Sequence, residues 1–232
     1  MTISEIYIKR FSAWAPGIEN HPEWDEWAHD KRDILSEAAS PKINYTDSNF
    51  RRRLSQISKM TIQVIHDLLP FNDETKLLFF SFRGELSREY QIFKMLTEEG
   101  AISPSAFSLS GFNTPVALAS IAFGLKGGYS ALYPANNSFS SCIKAAQASV
   151  LSGKTNELVL IYADEKIPAE CLNFFNEEHS PLAFALLLSR EYQNQFTPIS
   201  LLNTEDNPAA FLKKLLLRHG KASINSANIF QE

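Results

Sequence analysis

A tight corner between a short predicted strand and a predicted helix is the part of the sequence where nucleophilic chemistry would be expected. Residues 129–133 form a β-prone run, and Asn137 or Ser138 can cap a helix that begins at Phe139. Backbone N–H groups at a helix N-terminus stabilise a thiolate or an oxyanion, so enzymes often place a nucleophile at such a corner. Residues 134–137, which make the corner here, read Pro-Ala-Asn-Asn and offer no thiol.

Ser138 and Cys142 are the nearest side chains that could act as nucleophiles. Ser138 is a natural helix cap and has no identifiable base. Cys142 lies about one turn inside the helix, beside Ala145 and Ala146, so its thiol is expected to pack against a sheet. A stand-alone acyltransferase or thiolase-like enzyme that uses Cys142 or Ser138 is therefore the alternative hypothesis.

Histidines and cysteines give no catalytic or metal-binding pattern. None of the histidines lies in a recognisable motif, so structural or surface roles are expected for them. Two cysteines far apart in the sequence lack the spacing of metal ligands. We therefore expect neither a metal nor a cofactor. These residues are His21, His29, His66, His179, His219, Cys142 and Cys171.

Length and composition indicate one globular domain. The 232 residues suffice for one sizeable core and are too few for two typical domains. A formal net charge of -4 gives no general attraction to nucleic acid. The N-terminus lacks a basic segment followed by an apolar one, and no apolar run approaches the ~20 residues that span a bilayer. A cytoplasmic protein is expected.

Strand patterns and helix patterns alternate along the chain, which is typical of a layered α/β domain. Segment 102–113 shows no periodicity, and the last dozen residues are expected to form a weakly ordered tail. The predicted strands are residues 3–8, 76–82, 129–133, 157–163, 182–188 and 198–202. The predicted helices are residues 50–68, 86–99, 116–123, 139–152 and 209–218, with a short helix around Trp24 and Trp27.

Two groups of charged residues near predicted helix starts deserve a functional interpretation beside a structural one. Arg51, Arg52 and Arg53 lie at the N-terminal end of a helix, where the helix dipole favours anions, so they are a candidate docking site for an acidic partner. Arg83 and Glu85 either form a functional pair or belong to an ordinary turn with a carboxylate at a helix start.

Four segments of the sequence together resemble a known family. They read FGLKGGYSALY from Phe123, SGKTNELVLIYADE from Ser152, SFRGELSREYQIF from Ser81 and SPSAFSLSGFN from Ser103. This pattern resembles the N-terminal half of a β-ketoacyl synthase of the thiolase superfamily, over roughly residues 6–189. Within that family it is similar to the short chain-length-factor-type proteins that accompany ketosynthases in aryl polyene and type II polyketide pathways.

The resemblance implies a fold and a domain organisation. The fold would be a thiolase-like half, a mixed β-sheet layered between α-helices, truncated relative to a full ketosynthase. Residues 1–232 would form a single β-ketoacyl-synthase-like N-terminal domain, with 190–232 as a C-terminal strand and helix extension and a tail.

The resemblance also implies a non-catalytic role. In the family the corner carries an acylated cysteine, whose position falls on Ala135 or on Asn136 here, depending on a one-residue gap. Neither residue can form a thioester. The two family histidines come from Thr-Asn-Gly/Ala-His and Gly-His segments, which this sequence lacks. The chain would therefore pair with a full-length β-ketoacyl-ACP synthase and meet an acyl carrier protein bearing the growing acyl chain; a self-pairing scaffold is the second alternative.

Three sets of site residues follow from the same resemblance. The strand before the corner would form the dimer interface, the segment before FGLKG would line the acyl tunnel, and the arginine cluster would suit an acidic carrier protein. The interface residues are Tyr129, Ser130, Ala131, Leu132 and Tyr133. The tunnel residues are Ala106, Phe107, Ser110, Gly111, Phe112 and Asn113.

Overall fold

A computed structural model describes residues 5–175, 179–202 and 207–219. Within these residues the strands form one mixed six-stranded sheet in the order β3-β2-β4-β5-β1-β6. The strands are β1 (Tyr7–Trp14), β2 (Lys76–Phe80), β3 (Tyr129–Leu132), β4 (Glu157–Asp164), β5 (Leu182–Ser189) and β6 (Thr197–Pro198). No helix of the described residues is long and apolar enough to cross a membrane.

The α-helices of the described residues cover both faces of the sheet, and short 3₁₀ turns join some of the elements. The α-helices are α1 (His21–Ala28), α2 (Ser48–Arg51), α3 (Gln56–Leu68), α4 (Leu86–Glu99), α5 (Pro104–Ser108), α6 (Thr114–Phe123), α7 (Phe139–Leu151) and α8 (Pro208–His219). The 3₁₀ turns are Ala135–Asn137, Ala169–Phe174 and Ile199–Leu202.

Three parallel strands form the half of the sheet that carries the corner. β2 pairs in parallel with β3 on one side and with β4 on the other, while β5 and β1 continue the sheet in antiparallel pairing. Parallel strands require crossover connections, which here contain α4–α6 and α7. The carboxyl ends of β2, β3 and β4 therefore lie along one rim of the sheet.

The strands at the centre are apolar throughout because helices cover them on both sides. Leu158, Leu160 and Tyr162 of β4 belong to the core shared with α1, α7 and α8. Val159 and Ile161 belong to the core shared with α3 and α6. Alternation along the same strand thus separates two hydrophobic layers, and the predicted mixed sheet between helices is confirmed.

A glycine fixes the distance between the edge strand and its neighbour. A Cβ atom at Gly127 would lie 2.2 Å from the carbonyl oxygen of Glu74, so only glycine allows this approach. Leu125 closes α6 by donating its N–H to Ser120 O, and Gly128 accepts a hydrogen bond from Leu77 N. The FGLKGG segment is therefore the turn that lays β3 beside β2.

The predicted helix over residues 50–68 is wrong in one respect, because the structure divides it into α2 and α3. Ser55 caps α3 by accepting the N–H of Ser58 at 3.2 Å, and its hydroxyl also donates to Glu85 at 2.7 Å. This second contact joins residues 30 positions apart. The break is fixed by a tertiary hydrogen bond that helical periodicity does not encode.

Three further boundaries differ from the sequence predictions. The first strand, predicted to end at residue 8, extends to Trp14 because β1 pairs with β5 along its length. Segment 102–113 contains α5, capped by Ser103. Where a strand was predicted over residues 198–202, the structure has a two-residue strand, Thr197–Pro198, and a 3₁₀ turn, Ile199–Leu202. The predicted tail lies outside the described residues.

The C-terminal helix belongs to the main core. Phe211, Leu212 and Leu215 of α8 are fully buried beside α7 and the sheet. Our prediction of a single domain over residues 1–232, with 190–232 as an extension, stays a prediction for the chain as a whole. Within residues 207–219, the extension shares its core with the rest of the fold.

Candidate functional site

The strand-to-helix corner is a sharp elbow in the structure. β3 ends at Leu132, the 3₁₀ turn Ala135–Asn137 follows, and α7 starts at Phe139. Asn136 has φ 55° and ψ 29°, in the left-handed region that asparagine tolerates better than most residues. Ala135 and Asn136 are both exposed. The backbone thus presents residue 136 to solvent at the point where a nucleophile would be expected.

An aromatic cluster holds the start of α7 in place. Phe139 is fully buried, and its ring centroid lies 5.6 Å from Tyr162, 5.7 Å from Phe184 and 5.2 Å from Phe211. All three contacts are edge-to-face, the geometry that aromatic quadrupoles favour. Packing of Phe139 in this cluster therefore fixes the end of the elbow.

The two candidate nucleophiles differ in their surroundings. Cys142 is fully buried among apolar residues, and this burial raises the pKa of its thiol to about 12. A thiol in this state is neutral at physiological pH and inert. Ser138 occupies the N-cap position of α7, and its hydroxyl lies 2.8 Å from that of Ser140.

β3, the predicted interface strand, is an edge of the sheet and is exposed. It pairs with β2 on one side. The side chains of Tyr129, Leu132 and Tyr133 are 39%, 41% and 56% exposed. An unpaired, exposed edge strand can pair with a strand of another chain. Ser130 and Ala131 are half-buried between these exposed residues.

The predicted tunnel segment lies beside this edge. Asn113 Nδ2 donates to Tyr129 Oη at 3.2 Å, which joins the segment to β3. Phe107 on α5 is 65% exposed, and Gly111 is exposed in the following turn. Ala106 is half-buried, and Ser110 donates its hydroxyl to Phe107 O at 2.9 Å. Asn113 therefore joins the end of this segment to the predicted interface strand.

Phe112 is the predicted tunnel residue that is most involved in internal packing. Its ring centroid lies 6.2 Å from that of Phe79 in β2. A Cβ atom at Gly84 would meet the Phe112 ring at 2.7 Å. Phe112 thus anchors the segment to the sheet, while Phe107 and Gly111 face outward.

The surface around β3 carries an unusual share of exposed apolar side chains. Neither α4 nor α5 buries any of its residues. Seven of the fourteen exposed large hydrophobic residues among those described lie between residues 93 and 133. Exposed apolar side chains in this number favour an interaction site in this part of the chain. The seven are Phe93, Leu96, Phe107, Ile121, Tyr129, Leu132 and Tyr133.

The arginine cluster separates into one structural residue and two that face solvent. Arg51 donates to the carbonyl oxygens of Thr46 at 2.7 Å and Ile43 at 3.4 Å. Arg52 and Arg53 are exposed and line a cleft of about 910 Å³. Ala106 also lines this cleft. The structure therefore brings two predicted docking residues and one predicted tunnel residue to the same cavity.

Arg83 and Glu85 have different partners and do not pair with each other. Glu85 is fully buried and accepts hydrogen bonds from Ser55 and Ser58 hydroxyls, at 2.7 and 2.8 Å, and from Arg88 Nε at 3.2 Å. Arg83 forms an ion pair with Asp164 at 3.3 Å. Both residues organise the turn between β2 and α4.

Sequence reasoning missed the buried carboxylates at the end of β4. Asp164, 2% exposed, accepts hydrogen bonds from the Ser81 hydroxyl at 2.6 Å and the Tyr162 hydroxyl at 2.6 Å. It also accepts the backbone N–H groups of Phe82 and Arg83 at 3.1 Å. Adjacent acidic residues that directly follow an apolar strand were the available signal, because burial of carboxylates requires such partners.

Glu165 lies between the N-termini of two helices. It is 1% exposed, and it accepts the N–H of Ile57 at 3.3 Å and that of Ser87 at 2.9 Å. Burial raises the pKa of Glu165 to about 7, and the nearby negative charge of Glu85 contributes to the increase. The two backbone hydrogen bonds oppose the shift.

His66 and His29 make contacts apart from the corner and the buried carboxylates. His66 stacks on Tyr45 with ring centroids 3.8 Å apart and lies 3.0 Å from Asp67. His29 bonds to the Asp25 carbonyl oxygen at 2.8 Å. Among the residues that the structure describes, no group of histidine, cysteine, aspartate and glutamate side chains is arranged to hold a metal ion.

We predict that Glu165→Gln makes the protein relatively more stable at high pH. A carboxyl group whose pKa rises on folding contributes most stability below its unfolded pKa of 4.5, and this contribution is lost as pH approaches about 7. The difference in unfolding free energy, variant minus wild type, should increase by about 3 kcal/mol between pH 5 and pH 8. Urea unfolding at both pH values measures it. Glu99→Gln is the control, and a pH-independent difference for Glu165→Gln would contradict the prediction.

We also predict that the elbow, unlike position 142, can present a reactive thiol. In a Cys171→Ser background, Asn136→Cys should be alkylated by iodoacetamide at pH 7.5 at least about a hundredfold faster than Cys142, because the thiol at 136 is exposed and precedes a helix N-terminus. Intact mass spectrometry of the folded protein follows the reaction. Similar rates for the two thiols would show that the corner is not open.

Solved structures with the same fold include ketosynthases and their complexes. A chain in the structure of the ketosynthase ApeO in complex with its chain length factor ApeC, from Xenorhabdus doucetiae, is 24% identical and has a TM-score of 0.70. That match covers 81% of this chain and 79% of the other. The ishigamide ketosynthase/chain length factor is 12% identical, has a TM-score of 0.62, and is matched over 80% of this chain and 62% of that one.

A β-ketoacyl synthase from Burkholderia phymatum is 13% identical, with a TM-score of 0.60 over 82% of this chain and 60% of its own. This chain therefore spans less than two thirds of the second and third of these proteins. At such identities the likeness establishes the thiolase-like ketosynthase fold. A search of curated proteins gave no significant match.

The family assignment comes from the sequence itself. A family model described as β-ketoacyl synthase, N-terminal domain, matches residues 24–224. The matched region contains the elbow, the edge strand and the buried carboxylates. Together with the fold, this match shows that the chain belongs to the β-ketoacyl synthase N-terminal domain family.

Proposed function

We propose that the chain is a non-catalytic, chain-length-factor-like subunit of a β-ketoacyl-ACP synthase, acting in aryl polyene or polyketide biosynthesis. It would pair with an active, full-length ketosynthase and shape the acyl tunnel of the pair. The partner would supply the cysteine and histidines that condensation needs.

The observation that carries this proposal is the elbow without a thiol. A decarboxylative condensation begins with an acylated nucleophile, and residues 135 and 136 are alanine and asparagine. Asn136 has the left-handed backbone expected of an elbow residue, which favours position 136 as the degenerate nucleophile position. Cys142 is buried with a raised pKa and cannot substitute.

The exposed edge supports pairing through β3. An active ketosynthase of the same fold would offer an equivalent edge, and two such edges could join into one continuous sheet. Tyr129, Ser130, Ala131, Leu132 and Tyr133 would lie at the centre of that interface. The uncovered apolar residues of α4 and α5 would extend it.

The residues proposed to line the acyl tunnel are chosen by the position of their segment relative to this interface. Phe107 and Gly111 are exposed, and Asn113 of the same segment contacts Tyr129, so this segment would face the partner. Ala106, Ser110 and Asn113 would line the acyl tunnel, and Phe112 would anchor this segment to the sheet. A polyene is rigid, so bulk in its path would limit how far the chain extends.

Carrier-protein docking is assigned to the Arg51–Arg53 turn. Arg52 and Arg53 are exposed, and Arg51 holds the turn by its two backbone contacts. Acyl carrier proteins are acidic, so exposed guanidinium groups would attract them. The two alternative functions are a stand-alone enzyme and a self-pairing scaffold.

Co-expression with a full-length ketosynthase tests the pairing. The two chains should purify as a stable complex by size exclusion and native mass spectrometry. The isolated chain should form no covalent adduct with acyl thioesters. A homodimer that excludes the ketosynthase, or an acyl adduct on the isolated chain, would contradict the proposal.

A charge on the edge strand should break this complex. Leu132→Lys should weaken association about tenfold or more, because lysine on an edge opposes strand pairing. Leu201→Lys is the matched control: Leu201 has similar exposure, 44% against 41%, and follows the opposite edge strand, β6. Equal binding by the two variants, both shown to be folded by thermal melting, would remove β3 from the interface.

Bulk at Gly111 should shorten the product. Gly111→Trp in the reconstituted pair is expected to shift the product distribution to shorter chains, whereas Gly111→Ala should leave it nearly unchanged. Gly111 does not have a positive φ, so its backbone accepts a side chain. Product analysis by liquid chromatography and mass spectrometry measures the shift. An intact complex that makes chains of unchanged length would show that this segment does not limit elongation.

A further inference from the structure

β1, at the side of the sheet opposite to β3, is paired along only part of its outer edge. β6 pairs there with Tyr7 and Ile8, and the register between β1 and β5 shifts just after Ile8. At the other end of β1 the chain turns back, and Ile18 N donates to Ala15 O at 3.3 Å. Among the described residues, no strand lies on this outer side between the two contacts. An edge of this kind can accept a further strand.

Ala13 directs its backbone N–H and C=O groups toward this open side. Successive residues of an antiparallel strand direct these groups to alternate sides. Ala15 directs its C=O outward to Ile18, so Ala13, two residues earlier, also faces outward. Within the part of the chain that the structure describes, neither group of Ala13 has a backbone partner on that side. Because Ala13 is half-buried, this donor and acceptor favour an extended peptide as their partner.

A cavity of about 510 Å³ opens directly beside this edge. Ser12 and Trp14 face the α3 side of the sheet: the Ser12 hydroxyl donates to Val64 O at 2.5 Å, and Trp14 packs against the core under α3. Gln63 and Asp67, one turn apart on α3, line the same cavity. The cavity is therefore a slot between a strand edge and a helix, and an extended peptide could enter it by strand addition.

The slot offers apolar surface on both sides of an added strand. Ala13 packs against the core shared with α1, whereas Trp14 packs against the core shared with α3. Ile18 and Trp24, each 3% exposed, also line the slot. Adjacent residues of a strand point to opposite faces, so two adjacent large apolar residues would both be buried here.

We propose that residues 220–232 of this chain occupy the slot as an extended segment added to the outer edge of β1. This segment follows α8 and lies outside the described residues. It contains one pair of adjacent large apolar residues, Ile229 and Phe230. α8 packs on α1, whose first residue, His21, lines the slot.

A covalent connection makes a short added strand sufficient. The segment spans about 43 Å when extended, which is comparable to the diameter of a domain of this size. Tethering gives the segment an effective concentration in the millimolar range, so a contact that is weak between separate molecules can be well populated. This occupancy does not depend on pairing through β3.

Hydrogen exchange of the full chain tests the proposal. Phe230→Asp should displace the segment, because a carboxylate in an apolar slot is costly. The amide of Ala13 should then exchange about tenfold or more faster than in the wild type. Ser223→Asp places the same charge in the same segment and should leave this rate unchanged. Mass spectrometry with fragmentation measures exchange at Ala13, and equal rates in the wild type and Phe230→Asp would overturn the proposal.

A fluorescent synthetic peptide of residues 220–232 provides a second test on full-length proteins. By fluorescence anisotropy, it should bind Phe230→Asp about tenfold or more tightly than the wild type, whose own segment competes. Adding Ala13→Pro to Phe230→Asp should weaken this binding about tenfold, because proline lacks the N–H, which points away from β5. Thermal melting confirms folding. Equal binding by the wild type and Phe230→Asp, no binding by either, or full binding by a folded Ala13→Pro variant would overturn the proposal.

Discussion

The buried carboxylate of Asp164 is the interaction on which the geometry of the sheet rim depends. It lies at the end of β4 and binds two backbone N–H groups and one hydroxyl of the segment that follows β2. The same carboxylate accepts the hydroxyl of Tyr162, whose ring supports Phe139 at the start of α7. An unsatisfied buried carboxylate is very costly, so all these partners must be in place together. Asp164 therefore joins the turn after β2 to the aromatic cluster at the start of α7.

Local sequence signals were sufficient wherever local interactions decide the structure. The pattern from β3 through α7 to β4, and the end of α6 at Gly124, follow from periodicity, capping residues and glycine, and the structure confirms them. The division between α2 and α3 did not follow, because Ser55 is held by Glu85 from another element. The meeting of Arg53, Ala106 and Lys166 at one cleft did not follow either, since those residues are distant in sequence. The resemblance supplied the site residues, and geometry decides which of them lie together.

The strands at the centre of the sheet are covered by other elements, whereas the strand at one edge is exposed. β4 and β5 are buried on both faces and paired on both edges, while β3 is paired on one edge and exposed. α4 and α5, in the crossover between β2 and β3, bury none of their residues. Burial of apolar area drives association as it drives folding. Large aromatic and aliphatic side chains that are exposed on this part of the chain would be buried by a partner.

Packing alone explains the shape of the elbow, which carries no thiol. The corner must reverse the chain within a few residues so that β3 stays at the edge and Phe139 enters the aromatic cluster. Asn136 provides the left-handed backbone for this reversal without glycine. The packing of Phe139, Tyr162 and Asp164 does not involve the side chain at position 136, so the shape of the elbow does not require a thiol there. Under the proposed function, such a chain would keep its edge strand for pairing while the partner supplies the nucleophile.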